Sequence, residues 1–308
     1  MSKIPVIIDC DPGHDDAIAL ILAFSSDKLD VRGFTVVGGN QTLKKTSDNA
    51  LRVLSYIGVD VPVALGAEGP MFQEPFIQDA IHGDTGLDGP QLPPATLKPI
   101  DLSAVELMAK IIRESDEKIT LIALGPLTNV GVFLLAYPEL HEKISRICIM
   151  GGGAKHGNTT SAAEFNIWQD PEAASVVFSA GIPMTMHGID ATRKGYLLQS
   201  DIERFRGIGR VGKLVAELMD FFTQFAKAKN LPFSVHDANA VAWVIDPSIY
   251  TTKLANVEID LEGALTKGCT VTDFRAWAKD PKYMDVSVDV DRQRFVDLLA
   301  GAFAHYNS

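Results

Sequence analysis

The alternation of strand-like and helix-like segments constrains the fold of this chain more than any other feature. Over the first 190 residues, short runs rich in Val and Ile alternate with longer segments whose apolar residues recur at helical spacing. The strand candidates are residues 4–9, 31–38, 61–65, 118–124, 144–150 and 182–188. This alternation predicts an α/β fold in which helices cover both faces of a mostly parallel sheet. For 308 residues of this pattern, we expect a single domain, residues 1–308.

A strand with one solvent-facing side is predicted near the C-terminus. Residues 285–290, DVSVDV, alternate valines with Asp285, Ser287 and Asp289. Because successive side chains of a strand point to opposite faces, we expect the two carboxylates to face water. Further helices are predicted at residues 210–229 and 235–245.

Polar residues are concentrated in the segments that follow the predicted strands. These segments are DCDPGHDD, GGNQT, residues 66–99, LGPLTN and MGGGAKHGNTTSAAEFN. In open parallel sheets, ligands bind beyond the carboxyl ends of the strands, so we expect these segments to meet at one edge and form the functional site. Residues 66–99 exceed the usual length of a connection and contain IHGDTG, which predicts a flap over that site.

Charge and cysteine content narrow the choice of partners and compartment. The formal net charge of −11 disfavours binding to nucleic acid or to anionic membrane surfaces, which require clustered Lys and Arg, and favours a small neutral substrate or a cation. Cys10, Cys148 and Cys269 are widely separated and suggest neither disulfides nor a zinc site, so we predict a reducing, cytoplasmic location. The apolar runs are too short for a signal peptide or a membrane span.

Four carboxylates lie close together around a Pro-Gly turn, in the stretch VIIDCDPGHDDAIAL. They are Asp9, Asp11, Asp15 and Asp16. A single acid at a helix start is explained by capping, but four like charges this close destabilise the fold unless a cation lies among them. Oxygen ligands on a turn favour a hard cation, Ca²⁺ or Mg²⁺, and a second acid beside a histidine, Asp237, could complete the site.

The sequence Asp9-Cys10-Asp11 after an apolar strand also resembles the motif of the haloacid dehalogenase phosphohydrolases. That motif continues with Thr or Val two residues later, where this chain has Gly13. The two further acids, Asp15 and Asp16, are also foreign to it. A Mg²⁺-dependent phosphohydrolase is therefore kept as an alternative.

A more specific resemblance is carried by an ordered set of motifs. IIDCDPGHDDAIAL is followed by GNQT, IHGDTGLDGP, GPLTN, MGGG, AEFN, DPEAA and VHD. This set resembles the inosine-uridine nucleoside hydrolase family from residue 4 to the C-terminal helix, and implies its Rossmann-like nucleoside hydrolase fold. IHGDTGLDGP, AVELMAKIIRES and DVDRQRFVDLLA look most like the bacterial pyrimidine-preferring ribonucleoside hydrolases.

The family resemblance implies a reaction and a metal site. The reaction is hydrolysis of the N-glycosidic bond of a ribonucleoside to ribose and free base, with a tightly bound Ca²⁺. By resemblance, Asp11 ligates Ca²⁺ and acts as the general base on a calcium-bound water. Asp16, Asp237 and the main-chain carbonyl at Leu124 are the further ligands.

The resemblance also implies residues that bind the ribose. Asp15 is expected to hydrogen-bond the 2′-hydroxyl, Asp9 to support the metal ligands from behind, and Asn40 to lie beside the water and the ribose. The remaining ribose contacts are expected from Asn158, Glu164 and Asn166. This arrangement predicts that 2′-deoxyribonucleosides are poor substrates.

Groups near the leaving base are harder to assign. His82 in IHGDTG and His236 beside Asp237 are candidates to protonate the base, and Phe165 and Met150 are candidate apolar floor residues. In the family, base preference depends on the segment before the second histidine, here residues 221–237. It offers Phe222, Gln224, Phe225 and Phe233 but no Tyr. Uridine and cytidine are favoured, with purine or broad specificity left open.

A third class of protein, besides the hydrolase and the phosphohydrolase, is a catalytically idle nucleoside-binding protein. It would keep the ribose contacts and lack a base, whereas Asp11 is present here. The resemblance further implies a homodimer or homotetramer.

Overall fold

The computed structural model describes residues 3–228, 233–275 and 283–307, and for residues 225–228 it describes the main chain only. Within these residues, nine strands form one sheet. The strands are β1 Ile4–Cys10, β2 Leu29–Val36, β3 Val63–Leu65, β4 Ile119–Ala123, β5 Ile144–Met150, β6 Met184–His187, β9 Tyr250–Ile259, β10 Thr270–Asp273 and β11 Tyr283–Val290. Their order is β10-β9-β11-β6-β5-β4-β1-β2-β3, with a separate pair formed by β7 Tyr196–Leu197 and β8 Phe233–Ser234. All neighbours from β3 to β11 pair in parallel, whereas β9 and β10 are antiparallel.

Helices cover both faces of this sheet, as the alternation predicted. They are α1 His14–Ser25, α2 Leu43–Ile57, α3 Asp79–His82, α4 Ala104–Glu114, α5 Thr128–Ala136, α6 Phe165–Gln169, α7 Pro171–Phe178, α8 Ile189–Thr192, α9 Gln199–Arg206, α10 Gly209–Ala228, α11 Asp237–Ile245 and α12 Arg292–His305. Successive β1 residues alternate between two apolar clusters: Val6 and Ile8 pack with α1, α2 and α10–α12, and Ile7 packs with α4, α5 and α7. The single α/β domain is therefore confirmed. Within the described residues, no helix is long and apolar enough to cross a bilayer.

The strand order places a crevice at the carboxyl end of β1. The chain leaves β1 toward β2 and β3 on one side, and later fills the other side with β4, β5 and β6. Such a reversal opens the crevice in which α/β proteins bind ligands. Asp11 follows β1, Asn40 follows β2, Leu124 follows β4 and Met150 ends β5. The sheet thus brings residues far apart in sequence to the same edge.

The C-terminal third departs from the sequence predictions in two ways. Strands β9 and β10 were not predicted; they form an antiparallel pair at one edge of the sheet, outside the strand–helix alternation on which the prediction rested. Ser287, which lies between the two aspartates in the alternation, is buried: its side chain is 1% exposed, and its hydroxyl lies 3.0 Å from Nδ1 of His187. The pairing of β11 with β9 shifts register between Ser287 and Asp289, and such a bulge breaks the alternation of faces.

The buried histidine at the end of β6 predicts a pH dependence of stability. His187 packs against Trp243 and Tyr250, and its Nε2 is buried without a hydrogen-bond partner among the described residues. Burial lowers the pKa of His187 to about 3. The unfolded chain, whose histidine keeps its ordinary pKa of 6.5, therefore binds the proton first as the pH falls. This group's contribution is complete above pH 6.5 and is lost toward pH 3, by about 1.4 kcal/mol per pH unit.

We expect His187→Asn to flatten that dependence. The free energy of unfolding, measured by urea titration from pH 7 to pH 4.5, should fall less steeply in the variant than in the wild type. His305→Asn changes an exposed histidine and is the matched control. Parallel slopes for the wild type and the His187 variant would contradict the assignment.

Candidate active site

The acid-rich turn after β1 is organised by a helix start. Asp11 follows the strand, Gly13 precedes α1, and Asp15 and Asp16 lie in the first turn of that helix, where free N–H groups and the helix dipole favour negative charge. The backbone N–H of Gly13 donates to Asp16 Oδ2 at 2.8 Å, and the Cys10 thiol lies 2.9 Å from Asp16 Oδ1. The spacing in DPGHDD therefore directs these acids to the carboxyl edge of the sheet.

Asn40, from the loop after β2, ties two of these acids together. Its backbone N–H donates to Asp11 Oδ2 at 2.7 Å. Its side-chain amide donates to Asp16 Oδ2 at 3.0 Å and to the main-chain carbonyl of Asp11 at 3.1 Å. Asn40 thereby fixes the orientation of both carboxylates.

The backbone at two glycines packs directly against the Asp11 carboxylate and leaves no space for a side chain there. A Cβ on Gly39 would lie 2.2 Å from Asp11 Oδ2, and a Cβ on Gly125 would lie 2.3 Å from Oδ1. Within the described residues, Oδ1 of Asp11 is buried and has no hydrogen-bond partner. A buried carboxylate oxygen in that state is costly, and a bound cation or water would satisfy it.

Asp237, at the start of α11, joins the acids of α1. One carboxylate oxygen from each of Asp15, Asp16 and Asp237 lies within 4.8 Å of the others. Burial, and then the neighbouring carboxylates, raise the pKa of Asp15 to about 7 and those of Asp11 and Asp237 well above the usual range. No Lys or Arg of the described segments forms a salt bridge with any of them. Within the described residues, no basic side chain therefore compensates their charge.

A cavity of about 480 Å³ opens beside these acids. That volume is in the range of small-molecule sites. The predicted site residues that line it are Asp15, Asn40, His82, Leu124, Met150, Asn158, Glu164, Phe165, Asn166, His236 and Asp237. The predicted residues Asp11 and Asp16 do not line it; they lie behind Asn40, to which both are bonded. Asp9 lies deeper still, with its Oδ1 bonded to Thr35 and Asn129.

Polar groups from the loop after β5 form one wall of the cavity. The side-chain amide of Asn166 donates to the carbonyl of Leu124 at 2.7 Å and to that of Met150 at 3.1 Å. Glu164 Oε2 accepts from the N–H of Gly152 at 2.8 Å, and burial raises the pKa of Glu164 to about 7. Asn158 Oδ1 accepts from the N–H of Phe165 at 2.9 Å. These contacts hold the loop's oxygens and amides at the cavity.

The two cavity histidines are neutral at neutral pH. Burial lowers the pKa of His82 well below its usual range, and burial together with the nearby Arg193 lowers the pKa of His236 to about 4. Nδ1 of His236 lies 2.7 Å from the Thr192 hydroxyl, and its main-chain N–H donates to Asp15. Nδ1 of His82 lies 3.1 Å from Nδ1 of His14. Each neutral ring can donate one hydrogen bond, but neither carries the second ring proton of an imidazolium.

The sequence of this chain matches a family model described as inosine-uridine preferring nucleoside hydrolase, over residues 6–297. The chain belongs to that family. Among its relatives is the pyrimidine-specific ribonucleoside hydrolase RihA of Enterobacter sp. (strain 638), 48% identical over 309 residues, with 99% of each chain covered. The protein of the same description from Escherichia coli O157:H7 is 48% identical over 308 residues, covering 98% of this chain and 99% of the relative.

Solved structures of nucleoside hydrolases share the fold. A plant nucleoside hydrolase superposes with a TM-score of 0.92 at 32% identity, covering 98% of this chain and 99% of that one. A purine-preferring ribonucleoside hydrolase from Gardnerella vaginalis superposes with a TM-score of 0.91 at 31% identity, covering 98% of each. An enzyme described as purine-preferring superposes this well on a chain whose relatives in sequence are described as pyrimidine-specific, so the fold alone does not indicate the base preference.

Several residues that line the cavity of this nucleoside hydrolase were not predicted from the sequence. They are Phe76, Gln78, Ile81, Thr159, Arg193 and Ser234. The first three lie in the flap at 66–99, whose length was the available signal. Arg193 belongs to no motif, and its proximity to the carboxyl end of β6 was its only signal. Phe222 from α10 also lines the cavity, whereas the side chain of Phe225 lies outside the described residues.

Proposed function

We propose that this chain hydrolyses the N-glycosidic bond of ribonucleosides, with uridine and cytidine preferred, to give ribose and the free base. Family membership and the two relatives described as pyrimidine-specific support the substrate class. The observation that carries the proposal is the cluster of buried, uncompensated carboxylates beside a cavity of nucleoside size. Such a cluster is suited to stabilise the positive charge that develops on a ribosyl group when its glycosidic bond breaks.

A hard divalent cation, Ca²⁺, fits this cluster. The donors are all oxygens, one Asp11 oxygen has no partner among the described residues, and the carboxylates raise one another's pKa values. We propose that Asp11, Asp16, Asp237 and the carbonyl of Leu124 hold the ion. When bound, Ca²⁺ would supply positive charge that acidifies a water molecule and orients the ribose diol.

The protein's own groups supply the remaining steps of this mechanism. Asp11 accepts the proton of the attacking water, and the backbone N–H of Asn40 holds that carboxylate in a fixed orientation. Asp15 accepts a hydrogen bond from the ribose 2′-hydroxyl. The other hydroxyls are bound by Asn158, Glu164 and Asn166, and Phe165 and Met150 form the apolar floor.

The leaving base meets His82 and His236. Both rings line the cavity and are neutral, so each acts there as a hydrogen-bonding group rather than as a cation.

A rate comparison tests the proposal and the role of the diol. Purified protein supplied with Ca²⁺ should release reducing sugar from uridine and cytidine at least about tenfold faster, in kcat/KM, than from inosine and adenosine. With 2′-deoxyuridine, kcat/KM should fall by about 10³-fold, because buried groups that bind the 2′-hydroxyl lose their partner. Release of phosphate from phosphate esters would instead support the phosphohydrolase. Comparable rates on uridine and 2′-deoxyuridine would rule out the proposed binding of the ribose diol.

We also propose a homodimer or homotetramer in the cytoplasm. The three free thiols, Cys10, Cys148 and Cys269, are compatible with a reducing compartment. Light scattering on the purified protein measures the assembly, and a monomer at micromolar concentration would contradict it.

A further inference from the structure

Arg193 is the only Arg or Lys among the described residues that line the cavity. It directly follows α8, and its side chain is partly exposed. Within residues 3–228, 233–275 and 283–307, its guanidinium has no carboxylate within 4.0 Å. Its one hydrogen bond there joins Nη1 to Nε2 of His156 at 2.8 Å. A guanidinium has five N–H donors, so most of them remain available to a ligand.

Arg193 lies near His236, one of the two histidines proposed to contact the leaving base. Thr192, the preceding residue, is hydrogen-bonded to the His236 ring. Arg193 and His236 also line the same cavity. The cavity therefore contains a permanent cation beside His236 as well as the carboxylates Asp15 and Asp237.

This arrangement matches the charge separation of the proposed reaction. When C1′–N1 breaks, its electron pair goes to the base, which becomes an anion delocalised over its carbonyl oxygens. The ribosyl group becomes positive, and water attacks C1′ and gives its proton to Asp11. The carboxylates stabilise the ribosyl cation, but they disfavour the base anion. Arg193 is the one Arg or Lys that the described lining residues offer to that anion.

We propose that the Arg193 guanidinium binds the leaving base and stabilises the negative charge that develops on its carbonyl oxygens. This inference rests on the proposed N-ribohydrolase function. The planar fork of Arg suits such oxygens, whereas the bond to His156 only positions the side chain. An interaction that strengthens as charge develops raises kcat more than it lowers KM.

The first test compares Arg193→Met with Lys194→Met, which removes the neighbouring charge on a residue that is exposed and paired with Asp289. Arg193→Met should lower kcat on uridine by about 100-fold with little change in KM, and Lys194→Met should change neither. The loss should be at least about fivefold smaller on 5-fluorouridine, whose base is the more stable anion. Arg193→Lys, which keeps the charge without the fork, should recover part of the rate.

Two outcomes of the kinetic test would overturn the inference. Equal losses on uridine and 5-fluorouridine would mean that Arg193 does not act on the leaving base. A defect confined to uridine 5′-monophosphate would mean that the guanidinium serves a 5′-phosphate instead.

A binding measurement separates this inference from the proposed function. Calorimetry at pH 8 should show that 5-nitrouracil, an anion at that pH, binds the wild type at least about tenfold more tightly than Arg193→Met, whereas neutral uracil binds both alike. Equal binding of the anion, or none by the wild type, would overturn the inference. Absence of hydrolysis of any ribonucleoside would overturn the proposed function and leave this binding result to decide whether Arg193 forms an anion site.

Discussion

Asp11→Asn is expected to lower kcat on uridine by at least about 10³-fold while leaving the fold intact. The amide is nearly the same size as the carboxylate and can still accept the hydrogen bond from the backbone of Asn40. It cannot take a proton from water, and it is a poorer cation ligand. The measurement is steady-state release of uracil by the wild type and the variant, with Ca²⁺ in excess.

Thermal unfolding of the metal-free proteins distinguishes a lost base from a damaged fold. Burial and the neighbouring acids make the Asp11 carboxylate costly, so the Tm of metal-free Asp11→Asn should equal or exceed that of the wild type. Asp48→Asn, at an exposed acid paired with Arg52, is the matched control and should leave kcat unchanged. Activity of Asp11→Asn within tenfold of the wild type would exclude Asp11 as the general base.

Removal of the divalent cation is expected to abolish activity and to lower stability. The ion offsets the repulsion among buried carboxylates and binds only the folded chain, so at 100 times its Kd it stabilises the fold by about 2.7 kcal/mol. For a chain of this length, that corresponds to a fall in Tm of about 5 °C on chelation. Uracil release and differential scanning fluorimetry, before and after treatment with a strong chelator, measure both effects.

The specificity of that metal effect is testable within the same cluster. Ca²⁺ should restore both the rate and the Tm of the chelated protein, whereas the Tm of Asp237→Asn should respond much less to added Ca²⁺. Mg²⁺ at equal concentration should restore less, because it requires a stricter geometry and gives up its waters reluctantly. Full activity in protein shown by elemental analysis to be free of divalent metal would contradict the calcium site.

Features fixed by local sequence could be predicted without a structure. The acids of DPGHDD lie within one turn between a strand and a helix, so their shared direction follows from local geometry. Asn40 could be placed because it lies in the loop after a strand, and parallel strands bring such loops to one edge. The strand order that brings Leu124 and Met150 beside Asp11 follows from long-range pairing, and only the general rule for α/β sheets anticipated it.

Features that depend on packing between distant segments could not be predicted. The pairing of β9 with β11 and the bulge that buries Ser287 depend on contacts across the sheet. Arg193 could not be recognised because no neighbour in the sequence marks it; only the cavity does. The stack of His14 on His82 and Phe221 joins three segments that are far apart in sequence, so no local pattern indicates it.

The tight enclosure of Asp11 by Gly39 and Gly125 has a consequence for how new specificities could arise. Neither glycine can acquire a side chain without displacing the carboxylate, so these two positions around the proposed general base do not tolerate larger residues. The flap at 66–99, apart from His82, and α10 border the same pocket without touching Asp11 through any bond in the described residues. Substitutions there can alter which base is accepted while the chemistry stays in place, and libraries aimed at unnatural nucleosides should be confined to that side.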